Sequence, residues 1–224
     1  MAFLAPADLS EQGAGRCFLM ARYDVSAYRD TDFAAAGMAM PAFLSRAVPK
    51  RRAEFLAGRM LAAQALARIG QVNHVIGRGA RGEPLWPVGV RGSLSHSHGT
   101  IGAWVGVDGA DLGLDIEALA DDRAARAIRH SVLTDADSVC LGPDPDAALC
   151  TAVFSAKEAL YKALYPRVQR FFGFDHAQVV ATGPAGLTLR LVKPLPEAGL
   201  AGLEIDIDQQ WKAGRVISRC EIAP

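Results

Sequence analysis

Apolar residues recur along the chain with two periods, and each period predicts its own kind of element. Over residues 50–69 they fall at Phe55, Leu56, Met60, Leu61, Ala65, Leu66 and Ile69, the spacing of a helix with one buried face. Pro49 suits the first turn, where its missing N–H goes unused anyway, and Gly70 stops the helix. A second long helix is predicted over residues 146–165. Ala152, Val153, Ala156, Leu160 and Leu164 form its apolar stripe, and Phe154, Glu158, Lys162 and Tyr165 form the stripe beside it. Pro166 is expected to close it. A shorter helix over residues 121–133 has Asp121 or Asp122 as its N-cap. The Ala-rich residues 33–46 are started or broken as a helix at Pro41.

The other period is two. Residues 16–23, 72–76, 101–107, 112–117, 178–181, 187–192, 203–209 and 215–222 are alternating, β-branched or briefly apolar, and read as strands. Asp108-Gly109 is a hairpin signal, which makes 101–107 and 112–117 the arms of a predicted hairpin. Residues 78–90 are rich in Gly and Pro and read as a surface loop that leads into a Ser-His loop at 92–99. Each half of the chain therefore carries a long helix and several strands. The expected fold is α+β, a pseudodimer of two similar lobes, 1–109 and 110–224, each a small antiparallel sheet packed with a long helix.

Composition narrows the class. The chain has 224 residues, half of them hydrophobic, with 24 basic against 24 acidic side chains. A formal net charge of zero lacks the basic surplus of a nucleic-acid binder, so any anion site must be local. Cys17, Cys140, Cys150 and Cys220 show no Cys-x-x-Cys pairing, and scattered cysteines fit a reducing cytoplasm. The first residues lack the basic and apolar runs of a signal peptide. No segment reaches the about eighteen uninterrupted apolar residues of a membrane span. The expectation is a cytoplasmic monomer with no nucleic-acid or membrane partner.

Candidate chemistry centres on residues 111–117, Asp-Leu-Gly-Leu-Asp-Ile-Glu. On a strand, Asp115 and Glu117 share one face while Leu114 and Ile116 share the other. Their Cα atoms would lie about 7 Å apart, near enough to share a cation. Like charges on one face cost stability unless a cation or partner sits between them; the competing reading is a solvated strand face. Glu158 and Lys162 are one helical turn apart and can pair, although an exposed pair of this kind usually means little. Lys50, Arg51 and Arg52 crowd a helix start, with Arg59 two turns on. That is the wrong sign for the helix dipole, a cost that a docked anion would offset; a solvated helix end is the alternative. Residues 92–99, Gly-Ser-Leu-Ser-His-Ser-His-Gly, offer N–H, hydroxyl and imidazole groups suited to a phosphate. His96 and His98 as zinc ligands, or as ordinary loop histidines, are the alternatives there.

Three blocks resemble the signatures of 4′-phosphopantetheinyl transferases: Gly92-Ser93-Leu94-Ser95-His96-Ser97, Gly113-Leu114-Asp115-Ile116-Glu117, and Phe154-Ser155-Ala156-Lys157-Glu158-Ala159-Leu160-Tyr161-Lys162. Arg52-Ala53-Glu54-Phe55-Leu56-Ala57-Gly58-Arg59, Pro84-Leu85-Trp86-Pro87 and Lys162-Ala163-Leu164-Tyr165-Pro166 are similar to the enterobactin synthase component D branch of that surfactin-type superfamily. The resemblance implies coenzyme A in a cleft between two lobes, Mg²⁺ or Mn²⁺, and an apo acyl, peptidyl or aryl carrier protein as second substrate. The phosphopantetheine arm would move to a serine hydroxyl of the carrier, and adenosine 3′,5′-bisphosphate would leave. Siderophore or non-ribosomal peptide carriers are the expected class.

By the same resemblance Asp115, Glu117 and Glu158 hold the metal. Glu158 is the preferred general base, directly or through water, ahead of Asp115. Lys162 binds the transferred phosphate and holds Glu158, His96 contacts the pyrophosphate, and Ser95 the 3′-phosphate. Arg59 and one or more of Lys50, Arg51 and Arg52 hold the nucleotide end. Where many relatives have a basic residue in a Gly-x-Pro loop, Gly82-Glu83-Pro84 has an acid, which leaves Arg81 as the substitute. The residues support this chemistry in their own right. Mg²⁺ takes one or two carboxylates plus substrate phosphates, and phosphoryl transfer needs positioning and charge neutralisation above all. Arg167 and Arg170 are candidate contacts for an acidic carrier. A metal-dependent phosphohydrolase using the same acids, or a non-catalytic coenzyme A-binding protein, are the competing functions.

Overall fold

The first half of the chain forms β1 (Asp8–Gly13), β2 (Arg16–Arg22), a short α1 (Asp32–Ala35), a long α2 (Pro49–Arg68), β3 (Gly77–Arg78), β4 (Pro84–Leu85), β5 (Arg91–Ser97) and β6 (Thr100–Gly106). The second half forms β7 (Asp111–Ala118), α3 (Asp122–Ser131), α4 (Ser138–Leu141), a long α5 (Ala147–Val168), β8 (Ala177–Gly183), β9 (Gly186–Leu191), β10 (Glu204–Lys212) and β11 (Arg215–Ile222). This computed structural model describes residues 3–13, 15–72, 74–200 and 202–224. The chain divides between Gly109 and Ala110 into two units. Each is an antiparallel sheet packed against one long helix: β1-β2-β6-β5 with α2, and β7-β11-β10-β9-β8 with α5.

The N-terminal core forms where α2 lays Ala53, Leu56, Ala57, Leu61, Ala65 and Leu66 on the sheet face that bears Leu19, Ile101, Ala103 and Val105. In the C-terminal unit, the predicted stripe of Ala152, Val153, Ala156, Leu160 and Leu164 is buried together with Val179, Leu189, Ile207 and Cys220. Asp121 and Asp146 cap α3 and α5, accepting from the Ala124 and Leu149 amides at 2.8 and 2.7 Å.

Several local expectations are corrected. Residues 101–107 and 112–117 are not two arms of a hairpin, because β7 pairs with β11 near the chain's end. The Asp108 carboxylate instead takes Arg16. The hairpin forms one strand earlier, between β5 and β6, where His98 and Gly99 both have positive φ, 46° and 76°. The Ser-His segment is thus a strand ending in a tight turn rather than a loop. The strand expected at 72–76 is absent among its described residues; Asn73 lies outside them. Residues 78–90 hold the small β3–β4 ladder. Pro166 does not close α5, which runs on to Val168 and ends at Gln169 with φ +50°. A proline in the last turn forgoes one helical bond without blocking the residues after it.

Candidate functional site

In β7, Asp111, Gly113, Asp115 and Glu117 lie on the face toward α5. Gly113 sets the distance between them. A Cβ there would stand 1.9 Å from the Ala159 carbonyl oxygen and 2.8 Å from the Ala163 nitrogen, so only glycine lets the helix come this close. The approach puts Lys162 on the strand. Its Nζ donates to Asp115 Oδ1 at 2.6 Å and to the Leu114 carbonyl at 3.0 Å. Lys162 was expected to hold Glu158; its ammonium bonds Asp115 and also acts on the Glu158 carboxyl through its charge. Asp115 is buried, while Glu117 and Glu158 are half-buried. Burial pushes the Glu158 carboxyl above its ordinary range. Lys162 draws it down, and the Asp115 charge pushes it further up. Asp115, Glu158 and Lys162 thus share one electrostatic neighbourhood.

Among the described residues, no group of three or more His, Cys, Asp or Glu side chains is placed to hold a metal ion. Asp115, Glu117 and Glu158 are therefore not a preformed three-acid cage. His96 and His98 form no zinc site with a third such ligand. The donor chemistry nevertheless fits Mg²⁺, which usually takes one or two carboxylates and completes its shell with substrate phosphates and water. Crowded carboxylates such as Asp115 and Glu158 are also what a cation relieves.

Beside Glu158 opens a cavity of about 130 Å³, lined by Tyr161, Phe171, Phe172, Phe174 and the stem of Lys157. The Tyr161 and Phe172 rings lie 4.8 Å apart. The sequence reading assigned nothing here, nor to Lys157 itself. Lys157 is fully buried and donates to Asp137 Oδ2 at 2.7 Å and the Val132 carbonyl at 3.1 Å. Asp137 also accepts from the Thr134 amide and, through Oδ1, from the Val179 amide. The pair ties this stretch of α5 to β8 and to the segment before α4. Arg167 pairs with Asp111 and the Ala223 carbonyl, so it belongs to the frame. Arg170 pairs with Glu197 at the surface.

The basic residues of the N-terminal unit divide in the same way. Arg52 is spent on the fold, donating to the Leu44 and Ser45 carbonyls and to Asp30. Arg59 is buried, bonds the Ile76 and Gly77 carbonyls at 3.0 Å each, and lies over the Phe55 ring. Burial, then the charges of Arg51 and Arg78, pull its pKa down to about 10. Arg51 and Lys50 are more exposed and reach toward Glu54, as does His96. Ser95 and His96 are adjacent in β5 and so fall on opposite faces; Ser95 is buried and His96 half-exposed. Arg81 is exposed. Glu83 turns back on its own loop, where its carboxylate takes the Arg81 amide at 3.0 Å, which accounts for an acid at this position.

Residues 39–106 match the 4′-phosphopantetheinyl transferase N-terminal domain, and residues 111–213 match the 4′-phosphopantetheinyl transferase superfamily. The chain is 37% identical over 179 residues to the 4′-phosphopantetheinyl transferase Svp of Streptomyces mobaraensis, a match that covers 77% of this chain and 72% of that one. It is 36% identical over 152 residues to the 4′-phosphopantetheinyl transferase PptT of Mycobacterium tuberculosis, covering 66% and 67%. It is 32% identical over 202 residues to enterobactin synthase component D of Salmonella typhimurium, covering 88% and 82%. The chain belongs to the 4′-phosphopantetheinyl transferase superfamily. Its class of reaction is transfer of the 4′-phosphopantetheinyl group to carrier proteins. No helix among the described residues is long and apolar enough to cross a membrane.

Proposed function

We propose that this enzyme uses coenzyme A and Mg²⁺ to modify the serine of apo carrier proteins of the non-ribosomal peptide or siderophore kind. The carrier class rests on the likeness to enterobactin synthase component D. The chemistry rests on the joint placement of Asp115, Glu158 and Lys162 across the β7–α5 contact. Asp115, Glu117 and Glu158 are the oxygen donors for the cation. When bound, Mg²⁺ would neutralise the diphosphate of coenzyme A and stabilise the phosphate that leaves.

Glu158 takes the proton of the carrier serine as its oxygen forms the new bond to phosphorus. The bond to the adenosine 3′,5′-bisphosphate oxygen breaks, and that nucleotide departs with the electron pair. A carboxyl held above its ordinary range by burial suits a base working near neutrality. Lys162, held on Asp115, would neutralise the transferred phosphate. The aromatic cavity beside Glu158 suits the uncharged pantetheine arm. Arg51, Arg81, Ser95 and His96 are assigned to the nucleotide and its phosphates. Arg52 and Arg59, bound to loop carbonyls, frame that group, and Arg59 adds its charge to the local field.

The test is intact-mass measurement of several apo carriers after incubation with coenzyme A, Mg²⁺ and enzyme. Peptide and aryl carriers should gain one phosphopantetheine arm, and fatty-acid carriers should gain it more slowly. Failure with every carrier type overturns the function, and equal rates overturn the carrier preference. Glu158→Gln should cut turnover about a hundredfold or more while coenzyme A binding persists. A near-normal rate would remove Glu158 as the base.

A further inference from the structure

The mechanism above makes no use of Glu54, yet four groups converge on it. Its side chain, on α2, is only 9% exposed. The Tyr23 hydroxyl, just beyond β2, donates to Oε1 at 3.4 Å. Lys50 Nζ and Arg51 Nη1, also on α2, stand 3.9 Å from Oε1 and Oε2. His96 Nδ1, on β5, stands 3.8 Å from Oε1. The residue opposite His96 on β6 is Ile101, which brings no charge. The acid is the buried member of the cluster. Its basic partners are the open ones, with side-chain exposures of 71%, 49% and 36% for Lys50, Arg51 and His96.

We propose that Glu54 is a positioning residue for coenzyme A: it gathers Lys50, Arg51 and His96 and turns the His96 ring so that Nε2 faces the phosphates. The inference rests on the reading of those three basic groups as phosphate ligands. Separations of 3.8–3.9 Å are long for hydrogen bonds, so Glu54 acts on them chiefly through its charge. Basic groups crowded for a phosphate repel one another before it arrives. A carboxylate among them offsets that repulsion and keeps the cluster assembled, which lowers the ordering cost of binding. The same charge, within about 4–6 Å, favours the protonated imidazole, the form that donates to an anion. In the protonated ring both nitrogens carry hydrogen, so Nδ1–H can face Glu54 while Nε2–H is the outward donor. Tyr23 stays protonated and donating throughout, since burial and the Glu54 charge push its pKa up to about 12.

The discriminating variant is Glu54→Gln, which keeps the shape and the Tyr23 bond and removes the charge. Coenzyme A affinity by calorimetry, and kcat and KM for coenzyme A, are measured from pH 5.5 to 8.5. Expected at pH 8 is a rise in Kd and KM of about tenfold, with kcat little changed. The gap should narrow toward pH 5.5, since acid favours the protonated imidazole in both proteins. Glu54→Asp, which keeps the charge, should recover most of the wild-type pH profile, and Tyr23→Phe should retain it. A Glu54→Gln effect that is absent, or equal at every pH, overturns the inference while wild-type binding and transfer stand. A wild-type protein that binds no coenzyme A overturns the proposed function, and this inference falls with it.

Discussion

The two units share a plan and carry opposite charge. In the N-terminal unit, a long helix and its sheet surround one buried carboxylate, Glu54, with Lys50, Arg51 and His96. In the C-terminal unit, the same arrangement sets one ammonium, Lys162, against Asp115, with Glu158 one turn back on the helix. In each, one charge of opposite sign stands among the majority; by the proposals above, the first cluster takes an anion and the second a cation. The helices also each bury a cation. Arg59 spreads its charge over a planar fork and is satisfied by two carbonyls. Lys157 is a compact ammonium and has a full carboxylate, Asp137, as well as a carbonyl. The C-terminal helix therefore depends on a buried ion pair, where its counterpart depends on backbone.

The largest effect should come from breaking that pair. Asp137→Ala leaves Lys157 charged and buried, and also strips an acceptor from the Thr134 and Val179 amides. Such a loss costs about 3–5 kcal/mol. Denaturant unfolding should show it, and hydrogen exchange should place the lost protection in β8 and α5. A cost under about 1 kcal/mol would mean the pair is not the tie described above.

Next in size is Gly113→Ala. The added methyl meets the backbone of α5, not the end of a flexible side chain, so strand and helix must separate. Overpacking of this kind costs about 1–3 kcal/mol. The catalytic loss should exceed what stability predicts, because the Lys162–Asp115 bond depends on the same approach. Full activity in a folded Gly113→Ala protein would show that the approach is not what aligns the site.

How much of this was legible depends on range. Helix positions and the stripes of α2 and α5 follow from local spacing, and the N-cap of α3 from local chemistry. The partner of β7 did not, because pairing with β11 joins residues about a hundred positions apart and the Asp108-Gly109 turn signal says nothing about such a contact. The acids, Lys162 and His96 were legible as motif. Their partners were not. Lys50 and Glu54 stand one turn apart on α2, and nothing local announces that Tyr23 and His96 come to the same carboxylate. Lys157 did leave a signal: it lies four residues after Val153 and three before Leu160, on the stripe that faces the core, where a lysine requires a buried partner. The cavity was illegible because Phe171, Phe172 and Phe174 follow the helix in a segment without a period.

The smallest effect is a response to alkali, to which buried groups contribute with both signs. Tyr23 has a folded pKa of about 12 against an ordinary 10, first from burial and then from the Glu54 charge and bond. Between those values the folded chain holds a proton that the unfolded chain has lost, so stability falls as pH rises through the window. Tyr28, also in the N-terminal unit, is shifted up and adds the same sign. Lys157 works the other way. Burial outweighs Asp137 and lowers its folded pKa, so just below its ordinary value the unfolded chain holds the extra proton and stability rises with pH. Tyr23→Phe should remove the first share alone, about 1 kcal/mol of the stability lost between pH 8 and pH 11. The check is denaturant unfolding at both pH values, with the variant showing the shallower decline. Equal declines in variant and wild type would mean that the phenol does not feel the Glu54 charge, and would weaken the description of the N-terminal cluster as an acid ringed by its partners.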